Sequence, residues 1–178
     1  MASESRGQGI PTSAPADGGA AERVTDQQGQ GFPLLAGTAE AGGDNYSDRV
    51  MYQELSGLPP AESRALRFHL GNQTFDYFED GDLIRTGPIS SGKPGKHTPT
   101  GKFAVLGKDK DKKSSLYKNE IGTQAWMPYS LRFHGNYFIH EGWLPGYAAS
   151  HGCIRLGYYD ARLLFERMKI GDSVTVSN

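Results

Sequence analysis

The sequence predicts a mainly β domain, a sandwich or barrel with one or two short helices, preceded by a disordered N-terminal tail. Three observations carry this. Of the 19 aromatic residues, 18 lie from Tyr46 onward. A period-two alternation of apolar and polar residues begins at Arg64. Turn residues then recur at close spacing, and only one segment shows a strong helical stripe.

Residues 1–45 contain nine glycines, eight alanines and a single aromatic, Phe32. A segment so poor in large apolar groups cannot offset the entropy of ordering itself, so it reads as a disordered low-complexity tail. Residues 46–63 read as a linker that either docks on the domain or merely connects it to the tail. Ser47 can cap a short helix through Leu55, with Val50, Met51 and Leu55 on one side, and Gly57 and Pro59-Pro60 stop it. Residues 64–178 form the folded domain, long enough to bury one core.

Within that domain Leu66, Phe68 and Leu70 alternate with Arg67 and His69 as a half-buried strand. TFDYF (74–78) is a second strand. Asp80-Gly81 signals a tight hairpin, because both central positions of its turn favour positive φ. DLIRTGPIS (82–90) returns as a third strand and GKFAVLG (101–107) is a fourth. LRF and NYFIH, within 131–140, supply one or two more, and DSVTV (172–176) closes the chain. DARLLFERMKIG reads as a helix from an Asp160 cap to a Gly171 stop, with Ala161, Leu164, Phe165 and Met168 as its apolar stripe. Six lysines between Lys102 and Lys118 read as a solvated loop.

Charge and composition exclude several function classes. The tail carries a net charge of −4 and the remainder +3. That contrast suits an anionic partner such as a wall polymer, but it is too small for nucleic acid, for which no reader motif is present either. No apolar run is long enough to span a membrane. The first residues lack the basic and apolar stretches of a secretory signal, so the protein is expected to be cytoplasmic or to have lost its signal. One cysteine forbids an internal disulfide and a multi-cysteine zinc site.

That cysteine, Cys153, stands in FIHEGWLPGYAASHGCIRL. A lone cysteine is often a small inert core residue. Here the glycine- and proline-containing stretch after His140 can fold back and bring the imidazole to the thiol. A nucleophilic thiol needs such a base, and pairing would depress its pKa. Gly152 leaves room for a substrate to approach, and backbone N–H groups in the tight turn around Cys153 can face a developing oxyanion. His140, His151 and Cys153 can alternatively be read as three metal ligands, although without the usual paired-ligand spacing.

The run Ser150-His151-Gly152-Cys153 with an upstream His140 resembles the catalytic segment of the L,D-transpeptidase family. FDYFEDGDLIRTGPISSGKPGKHTPTGKFAV and MPYSLRF are similar to that family's earlier segments, so the resemblance covers about residues 66–176. It implies a sandwich of mixed sheets and a cysteine acyltransferase acting on peptidoglycan stem peptides, with no cofactor and no metal. Cys153 would be the nucleophile and His140 the base. Gly152, Ser150 and His151 would shape the turn and the oxyanion site. Arg155, two residues beyond the cysteine and expected on its face, can hold a substrate carboxylate, and Tyr129 and Trp143 can line the cleft. His97 and His134 fall outside the motif and are expected to be structural or exposed, and His69, which alternates outward on its strand, is expected to face solvent.

The implied reaction takes a tetrapeptide stem at its third residue, meso-diaminopimelate or similar. It releases D-alanine and passes the acyl group to an amine: a second stem, an amino acid or the lysine of a wall-anchored lipoprotein. Alternatives are a carboxypeptidase of the same stems, a non-catalytic wall-binding module and, less well matched, a papain-like protease. The implied setting is periplasmic or otherwise extracytoplasmic, with any export signal absent from this chain, and the protein is expected to be a monomer. If the tail is only a spacer, deleting residues 1–45 should leave turnover of soluble muropeptides unchanged in a rate assay. A large drop would mean that the tail packs on the cleft.

Overall fold

The structure is a computed structural model and describes residues 24–25, 31–32, 46–118 and 122–178. Two short strands, β1 (Val24–Thr25) and β2 (Gly31–Phe32), pair antiparallel with each other. Apart from them, the expectation of a disordered tail falls outside the described residues.

The remaining elements run α1 (Tyr46–Ser56), β3 (Arg64–His69), β4 (Thr74–Glu79), β5 (Asp82–Pro88), β6 (Gly101–Ala104), β7 (Gly107–Lys118), β8 (Gln124–His134), β9 (Tyr137–Glu141), β10 (Ile154–Leu156), α2 (Tyr158–Arg167) and β11 (Ser173–Ser177). They form a five-stranded sheet, β5-β4-β3-β11-β6, and a four-stranded sheet, β10-β9-β8-β7. Both sheets are mixed, because β11 runs parallel to β3 and β10 runs parallel to β9. The predicted mainly β architecture with two short helices and mixed sheets is what the structure shows.

The alternation seen in the sequence makes the core. Leu66, Phe68, Phe75, Tyr77, Val174 and Val176 from the first sheet meet Leu131, Phe133, Ile139, Ile154 and Leu156 from the second. Helix α2 adds Ala161, Leu164 and Met168, with Phe165 partly buried beside them. Burying each such side chain contributes roughly 1.5–3 kcal/mol. The β4–β5 hairpin turns at Asp80 and Gly81 with φ of 50° and 95°, the paired positive values that the Asp-Gly dipeptide signals.

Two expectations are corrected. The lysine-rich stretch is not a loop: Lys102 lies in β6, and the other five lysines lie in β7, a twelve-residue edge strand bonded to β8 alone. Charged residues suit such an edge, because they discourage pairing with another chain. Two of the lysines also pack: Lys108 Nζ donates to the Met168 carbonyl at 2.7 Å and lies over the Phe165 ring, and Lys112 lies over Phe138. Nor is Asp160 the cap of α2. The helix starts earlier, with Gly157 at the cap position, and ends at Arg167, before Gly171. Asp160 is instead buried in the first turn, where its carboxylate takes a 2.8 Å bond from Arg85 Nε.

Helix α1 is part of the domain rather than a free linker. Met51 is 4% exposed. Tyr52 donates to Glu166 at 2.6 Å, and Asp48 lies 3.5 Å from Arg85. Just beyond the helix, Arg167 donates to the Leu58 and Pro59 carbonyls while pairing with Glu79. Deleting residues 1–62, in contrast to 1–45, should therefore lower the thermal unfolding midpoint by on the order of 10 °C. Equal midpoints for the two truncated chains would show that α1 contributes nothing to stability.

Candidate active site

The site is built where β9 and β10 lie side by side. Their parallel register pairs Ile154 with Ile139 and Arg155 with His140. Register partners in a ladder share a face, and successive residues alternate between faces. Ile139, Ile154 and Leu156 therefore enter the core, where none is more than 1% exposed. His140 and Arg155 take the opposite face. Cys153 stands one residue before β10, beside Phe138, whose backbone N–H favours the thiolate. Arg155 acts electrostatically on both the Cys153 thiol and the His140 imidazole.

The imidazole of His140 is 7% exposed and its Nδ1 lies 2.6 Å from the Glu141 carbonyl oxygen. A carbonyl oxygen can only accept, so Nδ1 carries the proton and Nε2 keeps its lone pair. Burial pushes the His140 pKa down to about 4, with Arg155 adding to the shift and the Glu141 bond opposing it. Burial also pushes the Cys153 thiol up, against the pull of the Phe138 N–H and Arg155. The expectation of a depressed thiol pKa is thus corrected. Both groups rest in their neutral forms, because burying a thiolate and an imidazolium would cost both hydration shells.

The loop before the cysteine is held from two sides. Ser150 is buried, accepts the Gly152 N–H at 3.0 Å and donates to the Cys153 carbonyl at 2.5 Å. The Gly152 N–H, expected as an oxyanion donor, is therefore turned inward to Ser150. Gly152 has φ +117°, and an added Cβ would lie 2.7 Å from the Tyr137 ring, so only glycine fits. The second support is the segment after β5. Ser90 bridges to Arg155 and Gly92 to Ser150, and Ser90 Oγ donates to the Tyr147 carbonyl. Thr98 Oγ1 accepts from Gly92 N–H and donates to the Gly152 carbonyl, each at 2.9 Å. Gln73 fixes Ser91 through its side-chain amide.

The remaining predicted residues differ in their placement. His151 is exposed, with its pKa lowered by partial burial and by the cations Lys93, Arg155 and Lys96. Arg155 is half-buried, its stem lies against Gly142, and it joins no ion pair among the described residues. Trp143, at the start of the loop, is 65% exposed. Tyr129 stacks edge-on against Tyr158 and Phe165 of α2, so its ring is committed to that helix. His97 and His134 are exposed, and His134 stacks on Tyr137. His69, expected to face solvent, is only partly exposed and lies 3.0 Å from Asp76. Sequence reasoning assigned no role to Gln73, Ser90, Thr98 and Tyr137. Their partners lie more than fifty positions away or carry no motif, apart from the Thr98 run, whose conspicuous prolines and glycines were the available signal.

Among the described residues no group of three acidic, histidine or cysteine side chains is placed to hold a metal ion. The buried neutral His140 has a consequence for stability. The unfolded chain takes up this proton near pH 6.5 and the folded chain only near 4. Between those values the unfolded state binds more protons, so the contribution present above pH 6.5 is lost as pH falls toward 4, by up to on the order of 3 kcal/mol. Urea unfolding at pH 7.5 and 4.5 should show this loss in the wild-type chain. His140→Asn should lose less by about that amount, and parallel losses in the two proteins would contradict the assignment.

Comparison with known proteins identifies the family of the domain. Residues 63–176 match the family described as YkuD, the L,D-transpeptidase catalytic domain. The chain is 30% identical over 115 residues to L,D-transpeptidase 1 of Mycobacterium tuberculosis, covering 58% of this chain and 46% of that protein. It is 29% identical over 158 residues to "Probable L,D-transpeptidase 3" of the same species, covering 81% and 54%. The chain thus spans about half the length of the curated relatives it matches. Among solved structures it resembles an L,D-transpeptidase from Xylanimonas cellulosilytica at 26% identity and a TM-score of 0.58, covering 67% of this chain and 63% of that one. The mixed-sheet sandwich, the cysteine segment it presents and the match over residues 63–176 together show that the chain belongs to the L,D-transpeptidase catalytic domain family.

Proposed function

We propose that the domain is a peptidoglycan L,D-transpeptidase in which Cys153 is the nucleophile and His140 the general base. The observation that carries this reading is that His140 on β9 and Cys153, one residue before the parallel strand β10, both feel the charge of Arg155, with the imidazole lone pair on Nε2. The substrate is a stem tetrapeptide. As it binds, His140 Nε2 takes the thiol proton and Cys153 Sγ attacks the carbonyl carbon of the third residue, meso-diaminopimelate or similar. The Cys153 N–H faces the oxyanion that forms. His140 returns its proton to the departing nitrogen, D-alanine leaves, and a thioester remains.

In the second half the acceptor amine loses its proton to His140, attacks the thioester carbonyl and restores the thiol. The acceptor is a second stem's side-chain amine, a free amino acid or the lysine of a wall-anchored lipoprotein. Water in its place gives the carboxypeptidase outcome, which the product masses separate. Arg155, half-buried and without an ionic partner among the described residues, supports a role in holding the stem's carboxylate with its planar fork. Trp143 contributes an exposed aromatic wall to the cleft. No step calls for a metal or an organic cofactor, and the substrate places the reaction outside the cytoplasm.

Stem tetrapeptides incubated with an amine acceptor and followed by mass spectrometry test the assignment. Cys153→Ala should abolish transfer. His140→Ala should slow it by roughly 10²- to 10⁴-fold, and His151→Ala should cost less. Turnover in Cys153→Ala would overturn the reading, and a larger loss in His151→Ala would show that the other histidine is the base. Because both groups rest neutral, iodoacetamide should modify Cys153 of the free protein appreciably only as pH passes the ordinary thiol range of about 8.5. A midpoint well below that value would contradict the neutral pair.

A further inference from the structure

We propose that Thr98 is a positioning residue for the oxyanion donor. Its hydroxyl locks the Gly152–Cys153 peptide in the orientation that aims the Cys153 N–H at the reacting carbonyl. The inference rests on Cys153 being the nucleophile and deepens that reading.

The geometry begins with a glycine under little steric control. Gly152 has φ +117° and no side chain to resist rotation of the peptide that follows it. In a planar trans peptide the C=O and N–H point in opposite directions. Whatever fixes the Gly152 carbonyl therefore fixes the direction of the Cys153 N–H. Rotating that peptide by half a turn would withdraw the N–H and leave the carbonyl oxygen in its place, repelling an oxyanion instead of stabilising it.

Thr98 Oγ1 holds that carbonyl at 2.9 Å. The hydroxyl is itself held, because the Gly92 N–H donates to the same oxygen at 2.9 Å. One donor and one acceptor are thus satisfied on a residue that is 4% exposed, and the proton of Oγ1 is committed toward Gly152. Gly92 packs closely between the two segments, since an added Cβ there would overlap the Lys96 carbonyl oxygen and lie 2.8 Å from the Thr98 nitrogen and 3.0 Å from the Gly152 Cα. The Gly152 N–H and the Cys153 carbonyl are meanwhile bound to Ser150, which anchors the neighbouring peptides but not the Gly152 carbonyl. Thr98 is therefore the side chain that controls this peptide.

Thr98→Val keeps the shape and removes the hydroxyl, whereas Thr98→Ser keeps the hydroxyl. Rates of transfer from a stem tetrapeptide, KM, the pH profile of iodoacetamide alkylation and the circular dichroism melt should be measured for both. Removing an oxyanion donor costs roughly 10²- to 10³-fold in kcat, so Thr98→Val should fall by about 10²-fold in kcat with little change in KM. Alkylation forms no oxyanion, so its profile should stay within about twofold of wild type. Thr98→Ser should recover to within about tenfold of the wild-type rate. Wild-type turnover in Thr98→Val, a loss in Thr98→Ser as large as in Thr98→Val, or a fall in alkylation matching the fall in transfer would each overturn the proposal. Residual turnover in Cys153→Ala would instead sink the nucleophile assignment on which it rests, so the two failures are distinguishable.

Discussion

The site depends on one pairing, the parallel contact of β9 with β10 in the register that sets Ile154 against Ile139 and Arg155 against His140. Because side chains alternate across a sheet, this register does two things at once. It sends Ile139, Ile154 and Leu156 into the core and leaves His140 and Arg155 on the other face. A slip of one residue would bury Arg155 and expose the isoleucines, so the same hydrophobic energy that stabilises the fold also holds the chemistry in place. Strand β10 is only three residues long and lies at the edge of its sheet. It persists because Ser90 bonds back to Arg155 on its open side, with backbone N–H to carbonyl distances of 3.0 Å in both directions.

Placement alone does not set the protonation of the pair. Deep burial of His140 keeps it neutral, and the thiol is raised by the same cause. A resting ion pair would need two charges supported in a site with one cation, Arg155, to share between them. Arg155 favours the thiolate but disfavours the imidazolium, so it does not stabilise the two charges together. A Cys153 thiol held protonated in this way is less reactive than a thiolate.

Much of this was legible in the chain. Period-two alternation located β3, β4, β5 and β11, and Asp80-Gly81 located a hairpin, because these signals are local and steric. The cysteine, the upstream histidine and the glycine between them were visible as types of residue. The lysines of β7 misled because the first half of that strand is exposed or only partly buried on both faces, so no apolar alternation marks it. Asp160 misled because a carboxylate at a helix start suits a cap and an ion pair equally, and Arg85 is 75 positions away. The direction of the thiol's pKa shift was not legible for a related reason. Proximity of His140 to Cys153 can be guessed from a loop, but burial belongs to the completed fold. The brace formed by Ser90, Gly92 and Thr98 depends on contacts across more than fifty residues, and no spacing rule reveals such contacts.

The most direct test of the central claim is to trap the intermediate. A stem tetrapeptide added without an amine acceptor should produce a protein whose mass rises by that of the stem less D-alanine. Peptide mapping should place the adduct on Cys153, and hydroxylamine should remove it as expected of a thioester. An adduct on any other residue, or product formed with no Cys153 adduct under rapid quenching, would contradict the account.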